Sequence, residues 1–307
     1  MSKAVMLHKY GPPEVLQLVQ RTPPQPGPGQ VRVRVQAAGV QPFDCAVRSG
    51  RFAKPGGAFR STLPQMLGNE FSGAIDAVGS GVAGFKPGDP VLGWVMAAAY
   101  AQHVVVDASQ IVRKPESVGW YPAAVISASG QAAHTALHAL EVGPGDTLLI
   151  HAGAGGVGSF AVQLGQLWGA RVIATASERN HDYLRSLGAI PVAYGPGLAQ
   201  RVRAVAPQGV TAALDAAGSN ALDTSVELVK DRRRIATLVD LDRAAALGVL
   251  AVRSQRSIER LNELVALHAS GRLQVLISQA FPLERAADAH RLVETRKVRG
   301  KVVLTVD

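Results

Sequence analysis

Three glycines near the middle of the chain have the spacing of a nucleotide-binding turn. Gly153, Gly155 and Gly158 follow the pattern Gly-x-Gly-x-x-Gly, and Gly156 lies inside it. Glycine allows a tight turn and a close approach to a phosphate, and a helix that begins there offers free N–H groups and the positive end of its dipole. The spacing therefore predicts a site for the pyrophosphate of a dinucleotide. The alternative is a glycine-rich turn that binds nothing.

The elements that would position such a turn are present in the sequence. The short apolar run 147–150 predicts a buried parallel strand, and the apolar residues of 160–168 fit one helical face. A second strand, 171–175, follows about twenty residues after the turn. Strand, glycine turn, helix and second strand are the context that a dinucleotide fingerprint requires, so we predict a Rossmann-type domain here.

The residues after the second strand bear on the choice of dinucleotide. Ser177 and Arg179 are suited to hold a 2′-phosphate, the arginine through charge-assisted hydrogen bonds. NAD-specific sites usually end this strand with an acid that binds the ribose hydroxyls, and Glu178 keeps that alternative open. A solvated charged turn without any ligand is the third interpretation. We predict NADPH, with Glu178 directed towards solvent.

Composition limits the classes of protein to consider. The chain has 307 residues, of which 47% are hydrophobic, which fits a globular protein of two domains. No apolar run approaches the roughly 18 residues of a membrane span, and the N-terminus lacks the layout of a signal peptide. The net charge of +9 permits binding to polyanions, but 232–234 is the only run of arginines and no nucleic-acid motif accompanies it. We therefore expect no membrane and no nucleic acid as main partner.

Cysteine and histidine usage argues against a metal. Cys45 is the only cysteine, so neither an internal disulfide nor a four-cysteine zinc site can form. Only His134 and His138 have a spacing that could place two imidazoles on one helical face, and ordinary helix packing is the favoured interpretation. We predict no metal and a reducing compartment, the cytoplasm.

The pattern of predicted elements changes near residue 120. Before it, short strand candidates are separated by Gly/Pro turns, at 31–35, 71–78, 90–94 and 103–106. After it, helices and strands alternate, which predicts a parallel sheet with strands at 147–151, 171–175, 191–194, 210–215, 234–239 and 248–252. Predicted helices include 198–205 and 257–269, the latter with Ser257 as N-cap, and a strand after 274, a helix at 283–294 and a strand at 300–306 follow.

Seven short motifs follow one another along the chain. They are residues 4–16, 37–44 (AAGVQPFD), 68–73 (GNEFSG), 78–89, 152–158, 186–189 and 300–304. In this order they resemble the zinc-free quinone oxidoreductase branch of the medium-chain dehydrogenase/reductase family. The resemblance implies an α/β protein with a β-rich GroES-like catalytic domain, a Rossmann domain with a doubly wound parallel sheet, and NADPH-dependent reduction. We expect the catalytic domain to comprise 1–119 completed by 265–307, and the dinucleotide-binding domain to comprise 120–264.

The resemblance also suggests individual site residues. Gln41 and Asn69 stand where zinc-dependent relatives place a cysteine and a histidine. Tyr194 matches a tyrosine that packs near the adenosine phosphate in relatives, and Asn180 stands where many relatives carry lysine. We expect cofactor contacts from Ala154, Gly155, Gly156, Val157, Ser177, Arg179, Asn180, Tyr194 and Leu238.

The predicted chemistry needs little from the protein beyond placement. Because nicotinamide supplies the hydride, the chain has to hold an electron-poor acceptor, a quinone or an α,β-unsaturated carbonyl, and stabilise the charge that develops on its oxygen. Gln41 is the candidate polar group, and Asp44 follows at the family spacing, although it could equally cap a helix. Ala46 and Ala132 replace a tyrosine and a threonine of relatives, so the identity of the substrate is not carried over.

Other functions stay open at this point. Within the same class, the chain could be an alkenal or enoyl reductase. In a different class, it could bind NADPH without turnover, as a redox sensor or as an RNA-binding protein of the lens crystallin type, which the basic pI near 10.0 keeps open. We expect a homodimer that acts on a small molecule.

Overall fold

The computed structural model describes residues 1–53 and 62–307, which divide into two compact units. The first unit comprises Met1–Ala128, Ser257–Ser270 and Val275–Asp307, and the second comprises Ser129–Arg256 and Gly271–Gln274. The first division between the units falls inside a helix, where no change of composition or turn residue marks it. Our domain boundaries after residues 119 and 264 stay predictions.

The described residues form sixteen strands and nine α-helices. The strands are β1 (Ser2–Leu7), β2 (Leu16–Arg21), β3 (Gln30–Val40), β4 (Gln65–Met66), β5 (Glu70–Val78), β6 (Pro90–Trp94), β7 (His103–Asp107), β8 (Ile111–Arg113), β9 (Thr147–His151), β10 (Arg171–Ala176), β11 (Ile190–Ala193), β12 (Ala212–Asp215), β13 (Ile235–Thr237), β14 (Leu250–Ala251), β15 (Ile277–Pro282) and β16 (Lys301–Thr305). The helices are α1 (Pro42–Arg48), α2 (Trp120–Ala139), α3 (Gly156–Leu167), α4 (His181–Ser186), α5 (Leu198–Val205), α6 (Ala221–Leu228), α7 (Leu241–Leu247), α8 (Ile258–Ala269) and α9 (Ala286–Glu294).

The first unit is built on β3, the longest strand. This strand pairs antiparallel with β5, β7 and β16 in a seven-stranded sheet whose main order is β15-β16-β3-β5-β6-β8. Val31, Val33 and Val35 of β3 are buried, while the alternating arginines point to the other face, as the period of a half-buried strand requires. A small sheet, β2-β1-β4, completes the unit.

The second unit contains an entirely parallel sheet. Its order is β11-β10-β9-β12-β13-β14, so the first strand of the unit lies in the middle and the chain reverses direction across the sheet between β9 and β12. This is the order of a doubly wound dinucleotide-binding fold, and ligands of such sheets bind beyond the carboxyl ends of the strands at the reversal. Leu149, Ile173 and Ala213 on the three central strands are fully buried, as expected for a sheet covered on both faces.

Most predicted elements are observed, with shifted ends. Strands 90–94 and 147–151 and helix 198–205 have the predicted bounds, and Ser257 caps α8 by accepting a hydrogen bond from the Arg260 backbone N–H. The helix after the glycine turn begins at Gly156, four positions before the apolar pattern starts, because the pattern reports only the buried face. The strand predicted at 234–239 is observed only at Ile235–Thr237, and a 3-10 turn at Arg232–Arg234 takes up its first predicted residue. Within the described parts of the chain, no helix is long and apolar enough to cross a membrane.

Candidate active site

The glycine turn between β9 and α3 is shaped by contacts that exclude side chains. A Cβ atom on Gly158 would lie 2.1 Å from the backbone oxygen of Ala152, and one on Gly153 would lie 2.6 Å from the Cβ atom of Ala174. Neither position can hold another residue without moving backbone or packed neighbours. At Gly155, by contrast, the nearest atom to an added Cβ is 3.3 Å away. Gly153 and Gly158 thus serve packing, and Gly155 is the least restricted of the three, although an added Cβ there would still make a tight contact with the Ala152 backbone oxygen.

Helix α3 presents free donors at this turn. Gly155 is its N-cap, and the first bond of the helix runs from the Ser159 N–H to the Gly155 carbonyl. The N–H groups of Gly156 and Val157 precede that bond and have no carbonyl acceptor within the helix. Together with the positive end of the helix dipole they form an anion-binding arrangement at the carboxyl end of β9.

The predicted phosphate-binding residues lie beside that turn. Ser177 follows β10 and caps a 3-10 turn over Glu178–Asn180, and the Asn180 side-chain amide donates to the Ser177 hydroxyl over 3.3 Å. Ser177 and Asn180 are half-buried, whereas Glu178 and Arg179 are exposed. Tyr194, which follows the neighbouring strand β11, is 65% exposed.

The sheet brings all nine predicted cofactor residues to one edge. Ala154 to Val157 follow β9, Ser177 to Asn180 follow β10, Tyr194 follows β11, and Leu238 follows β13 with its N–H donating to the Asp215 carbonyl. Because parallel strands place their carboxyl ends together, residues up to 84 positions apart in sequence reach one edge.

Two buried polar residues at this edge were missed by the sequence analysis. Asp215 is fully buried and accepts hydrogen bonds from the N–H groups of Ala217 and Gly218, both at 2.8 Å, and from the Thr237 hydroxyl. His151 contacts the Ser225 hydroxyl over 3.0 Å, and burial lowers the pKa of this histidine to about 4. These bonds fix the loop after β12. An aspartate at the end of an apolar strand, with a glycine three positions later at Gly218, is the signal that points to such a role.

In the first unit, Asp44 is held inside the protein. Its carboxyl group accepts hydrogen bonds from the Gln41 N–H at 2.9 Å, the Asn69 amide at 2.9 Å and the Tyr100 hydroxyl at 3.2 Å. The residue is 1% exposed, and burial raises its pKa to about 7. Asp44 therefore caps α1, the alternative role that the sequence allowed. Its burial argues against the direct catalytic role that we expected for it.

Unlike Asp44, Gln41 is only partly buried. It precedes α1, and its side-chain nitrogen donates to Glu70 Oε1 over 2.8 Å. Asn69, which neighbours Glu70, donates to Asp44 instead. The four residues Gln41, Asp44, Asn69 and Glu70, named here the amide–carboxylate cluster, join the loop before α1 to the start of β5. Of the four, Gln41 is the one residue that is only partly buried.

Other sequence candidates take structural positions. Cys45 is 5% exposed, and burial raises the pKa of its thiol, so it is not an activated nucleophile. His134 packs edge-on against Trp168, with ring centroids 5.1 Å apart, and lies 6.4 Å from the ring of His138. This geometry is that of the helix packing favoured for the histidine pair. Ala46 and Ala132 are half-buried.

Comparison with known proteins finds two family models along the chain. Residues 27–116 match the family model of the alcohol dehydrogenase GroES-like domain, and residues 187–304 match that of the zinc-binding dehydrogenases. The chain is 31% identical over 332 residues to a quinone oxidoreductase of Pseudomonas aeruginosa, covering 99% of both proteins. The solved structure of the Escherichia coli quinone oxidoreductase complexed with NADPH is 28% identical, with a TM-score of 0.88 and 99% of both chains covered.

A relative of very different size also matches. The pikromycin polyketide synthase component PikAII of Streptomyces venezuelae is 35% identical over 308 residues, which is 92% of this chain but 8% of that protein. The chain thus spans less than a tenth of this relative. A GroES-like domain joined to a Rossmann-type sheet defines the class of medium-chain dehydrogenases and reductases. Within that family, the chain belongs to the quinone oxidoreductase branch.

Proposed function

We propose that this chain is an oxidoreductase that uses NADPH to reduce a quinone or another activated α,β-unsaturated carbonyl without a metal ion. The observation that carries the proposal is the glycine turn. Gly153 and Gly158 have no room for a side chain, Gly155 is less restricted, and the free N–H groups of α3 lie at the sheet edge where Ser177 and Arg179 also lie. That combination suits a dinucleotide with an additional phosphate.

In this proposal the second unit is the dinucleotide-binding domain. The N–H groups of Gly156 and Val157 would hold the pyrophosphate, and Ser177, Arg179 and Asn180 would hold the 2′-phosphate. The remaining contacts would come from the backbone and apolar surfaces of Ala154, Gly155, Tyr194 and Leu238. The side chain of Glu178 is exposed, so its carboxylate would stay in solvent, away from the 2′-phosphate. When bound, NADPH supplies the hydride.

In the first unit, Gln41 is the group we assign to the acceptor. Its amide has one N–H bonded to Glu70 and a second N–H that can donate to a carbonyl oxygen on which negative charge develops. Asp44 acts through backbone placement, because its carboxyl group fixes the Gln41 N–H at the start of α1. We propose Gln41 as the catalytic residue and Asp44 as a positioning residue.

The chemistry of the residues at the two zinc positions supports a reaction without metal. Gln41 and Asn69 offer amides where a thiolate and an imidazole would be needed, and both amides donate their N–H groups to carboxylates. Within residues 1–53 and 62–307, no three His, Cys, Asp or Glu side chains are grouped as metal ligands. Chelation should therefore leave activity unchanged, and stoichiometric zinc lost together with activity would refute this part of the proposal.

The decisive experiment is NADPH oxidation with a panel of quinones, enones and enals. We expect turnover with at least one quinone or enone and tighter binding of NADPH than of NADH. Turnover restricted to enals or enoyl thioesters would favour the alkenal or enoyl reductase. Tight NADPH binding without turnover, or RNA binding without either, would favour the non-catalytic alternatives. Light scattering of the same preparation tests the homodimer that we propose, and fractionation of the source cells tests the cytoplasmic location.

A further inference from the structure

The carboxylate of Glu70 is surrounded by donors on every oxygen. Glu70 Oε1 accepts from the side-chain nitrogen of Gln41 at 2.8 Å and from Lys301 Nζ at 2.9 Å, while Oε2 accepts from the Ala128 N–H at 2.7 Å. Glu70 is 0% exposed and Lys301 is 5% exposed. All four residues belong to the first unit. Burying an ion pair is costly, so its presence here calls for a role beyond stability.

The sheet is adapted to let this ion pair form. Glu70 begins β5 and Lys301 begins β16, and these strands lie on opposite sides of β3. Their side chains meet over Gly39 of β3, where an added Cβ would lie 2.4 Å from Glu70 Oε1 and 2.7 Å from its Cγ. Any side chain at position 39 would push the carboxylate away. The absence of a side chain on the middle strand is thus a condition for the pair.

The pair also determines which way the Gln41 amide faces. A charged carboxylate only accepts hydrogen bonds, so it turns the nitrogen of the amide, and not its oxygen, towards itself. One N–H is then bound to Glu70, and the second N–H and the carbonyl oxygen of Gln41 face away from the carboxylate. On the other side of the amide, the Gln41 side chain faces the Asp44 backbone N–H in the capping box of α1. Without the carboxylate, this single contact would be left to orient the amide, and it does not hold the side-chain nitrogen.

Lys301 has its own part in this arrangement. Its ammonium group neutralises Glu70, so the carboxylate can hold Gln41 without adding a bare negative charge near an oxygen that becomes negative during reduction. An unpaired buried carboxylate would oppose that charge.

We propose that Glu70 is a positioning residue for the reduction, held by Lys301 across Gly39, and that it acts by orienting the Gln41 amide so that its free N–H is offered to the carbonyl oxygen of the acceptor. This rests on the proposed function. The inference adds a residue that touches neither substrate nor cofactor, and whose effect on turnover passes entirely through another side chain.

A double-mutant cycle tests this dependence. In Glu70→Gln a single side-chain oxygen has to serve three donors, so the Gln41 amide loses its fixed orientation, and we expect kcat for a quinone to fall about tenfold with little change in the KM for NADPH. In a Gln41→Ala background, Glu70→Gln should cause no further loss. The matched control is Glu294→Gln, which alters the ion pair with Arg48 elsewhere in the first unit and should leave kcat within twofold in both backgrounds. Equal losses from Glu70→Gln in both backgrounds would overturn the proposal.

Two further variants separate orientation from charge and stability. Gly39→Ala keeps every charge but displaces the carboxylate, so it should reproduce the fall in kcat. Lys301→Arg keeps the charge and a donor, so it should retain most of the activity. Thermal unfolding of Gly39→Ala, Lys301→Arg and Glu70→Gln shows whether each variant is as stable as the parent. If all three are, and Gly39→Ala nevertheless has the kcat of the parent, then Glu70 does not act by orienting the Gln41 amide.

A readout without turnover keeps this inference separate from the proposed function. The side-chain amide signals of Gln41, identified by their loss in Gln41→Ala, should show one proton shifted downfield by the carboxylate in the parent protein. That shift should persist in Lys301→Arg and disappear in Glu70→Gln. A parent protein that shows the shift but reduces no carbonyl contradicts the proposed function alone. A parent that reduces quinones and shows no shift contradicts the role of Glu70 alone.

Discussion

The glycine turn of the second unit and the amide–carboxylate cluster of the first unit are built in opposite ways. The turn uses backbone atoms from one continuous segment, and its requirements are local: Gly158 has to be glycine because the Ala152 carbonyl lies where its Cβ would be. The cluster uses side chains, and with Lys301 and Ala128 its parts come from four distant segments. A substitution disrupts a site made of backbone atoms by distorting the local fold. A substitution disrupts a site made of buried side chains by leaving a charge without its partner.

The largest effect should come from leaving the cluster with an unpaired charge. Lys301→Met removes the counter-charge of the fully buried Glu70, and we expect the free energy of unfolding to fall by about 3–5 kcal/mol. The exposed pair of Lys3 with Glu284 provides the control, since Lys3→Met should cost less than about 1 kcal/mol. Denaturant unfolding of both variants measures the difference. Similar small losses in both would show that the buried pair is not what holds this region.

The second prediction concerns the turn. Gly158→Val would force a side chain into the Ala152 carbonyl, so we expect the second unit to lose about 3 kcal/mol of stability or more. In Gly155→Val the added Cβ makes a tight contact of 3.3 Å with the Ala152 backbone oxygen, so this variant should lose less stability than Gly158→Val. It should bind NADPH about a hundredfold more weakly, because the added side chain occupies the space of the pyrophosphate.

Gly143→Val serves as control, since an added Cβ there meets no atom within 4 Å. Cofactor titration and thermal unfolding of the three variants should be compared side by side. Normal NADPH affinity in folded Gly155→Val would mean that the turn is only structural, and the proposed function would lose its main support.

These two predictions explain what the sequence could and could not show. The strand, turn and helix around Gly155 follow from short-range rules of spacing and periodicity, so the fold of the second unit was predicted from the sequence. Gln41 was found by resemblance, but its partner Glu70 was not. The sheet order that places β5 and β16 on either side of β3 depends on long-range strand pairing, which no local sequence pattern indicates. For the same reason the sequence left open whether Asp44 is a catalytic residue or a helix cap, because its burial depends on the assembled fold.

The third prediction tests whether the side chains at the cofactor edge act independently of the backbone turn. Arg179→Ala removes a charged donor beside Ser177, so the preference for NADPH over NADH should shrink by about tenfold, equivalent to roughly 1.4 kcal/mol. NADH binding and thermal stability should stay as in the parent, because Arg179 is exposed. Parallel titrations with both cofactors measure the change. Equal affinities of the parent for the two cofactors would remove the basis for the assignment to NADPH.

The smallest expected effect is a difference between the two units in how their stability changes as the pH falls. In the second unit, burial lowers the pKa of His151 to about 4 from 6.5, so its neutral form stabilises the fold. That contribution is present above the unfolded pKa and is lost as the pH falls from about 6.5 towards 4. At pH 5.5 the loss should be about 1 kcal/mol.

In the first unit, two buried groups change the stability in opposite directions as the pH falls. Burial lowers the pKa of His290 to about 3, so this histidine also destabilises the unit as the pH falls. Burial raises the pKa of Asp44 to about 7, and its contribution is fully present below the unfolded value of 3.8 and is lost as the pH rises through 7. Between pH 7 and 5.5 the two changes in stability offset each other.

Hydrogen exchange at these two pH values should therefore show lower protection at pH 5.5 in the second unit and nearly constant protection in the first. In Asp44→Asn, protection of the first unit should also fall at pH 5.5. Equal losses of protection in both units of the parent would show that Asp44 does not titrate as its burial implies.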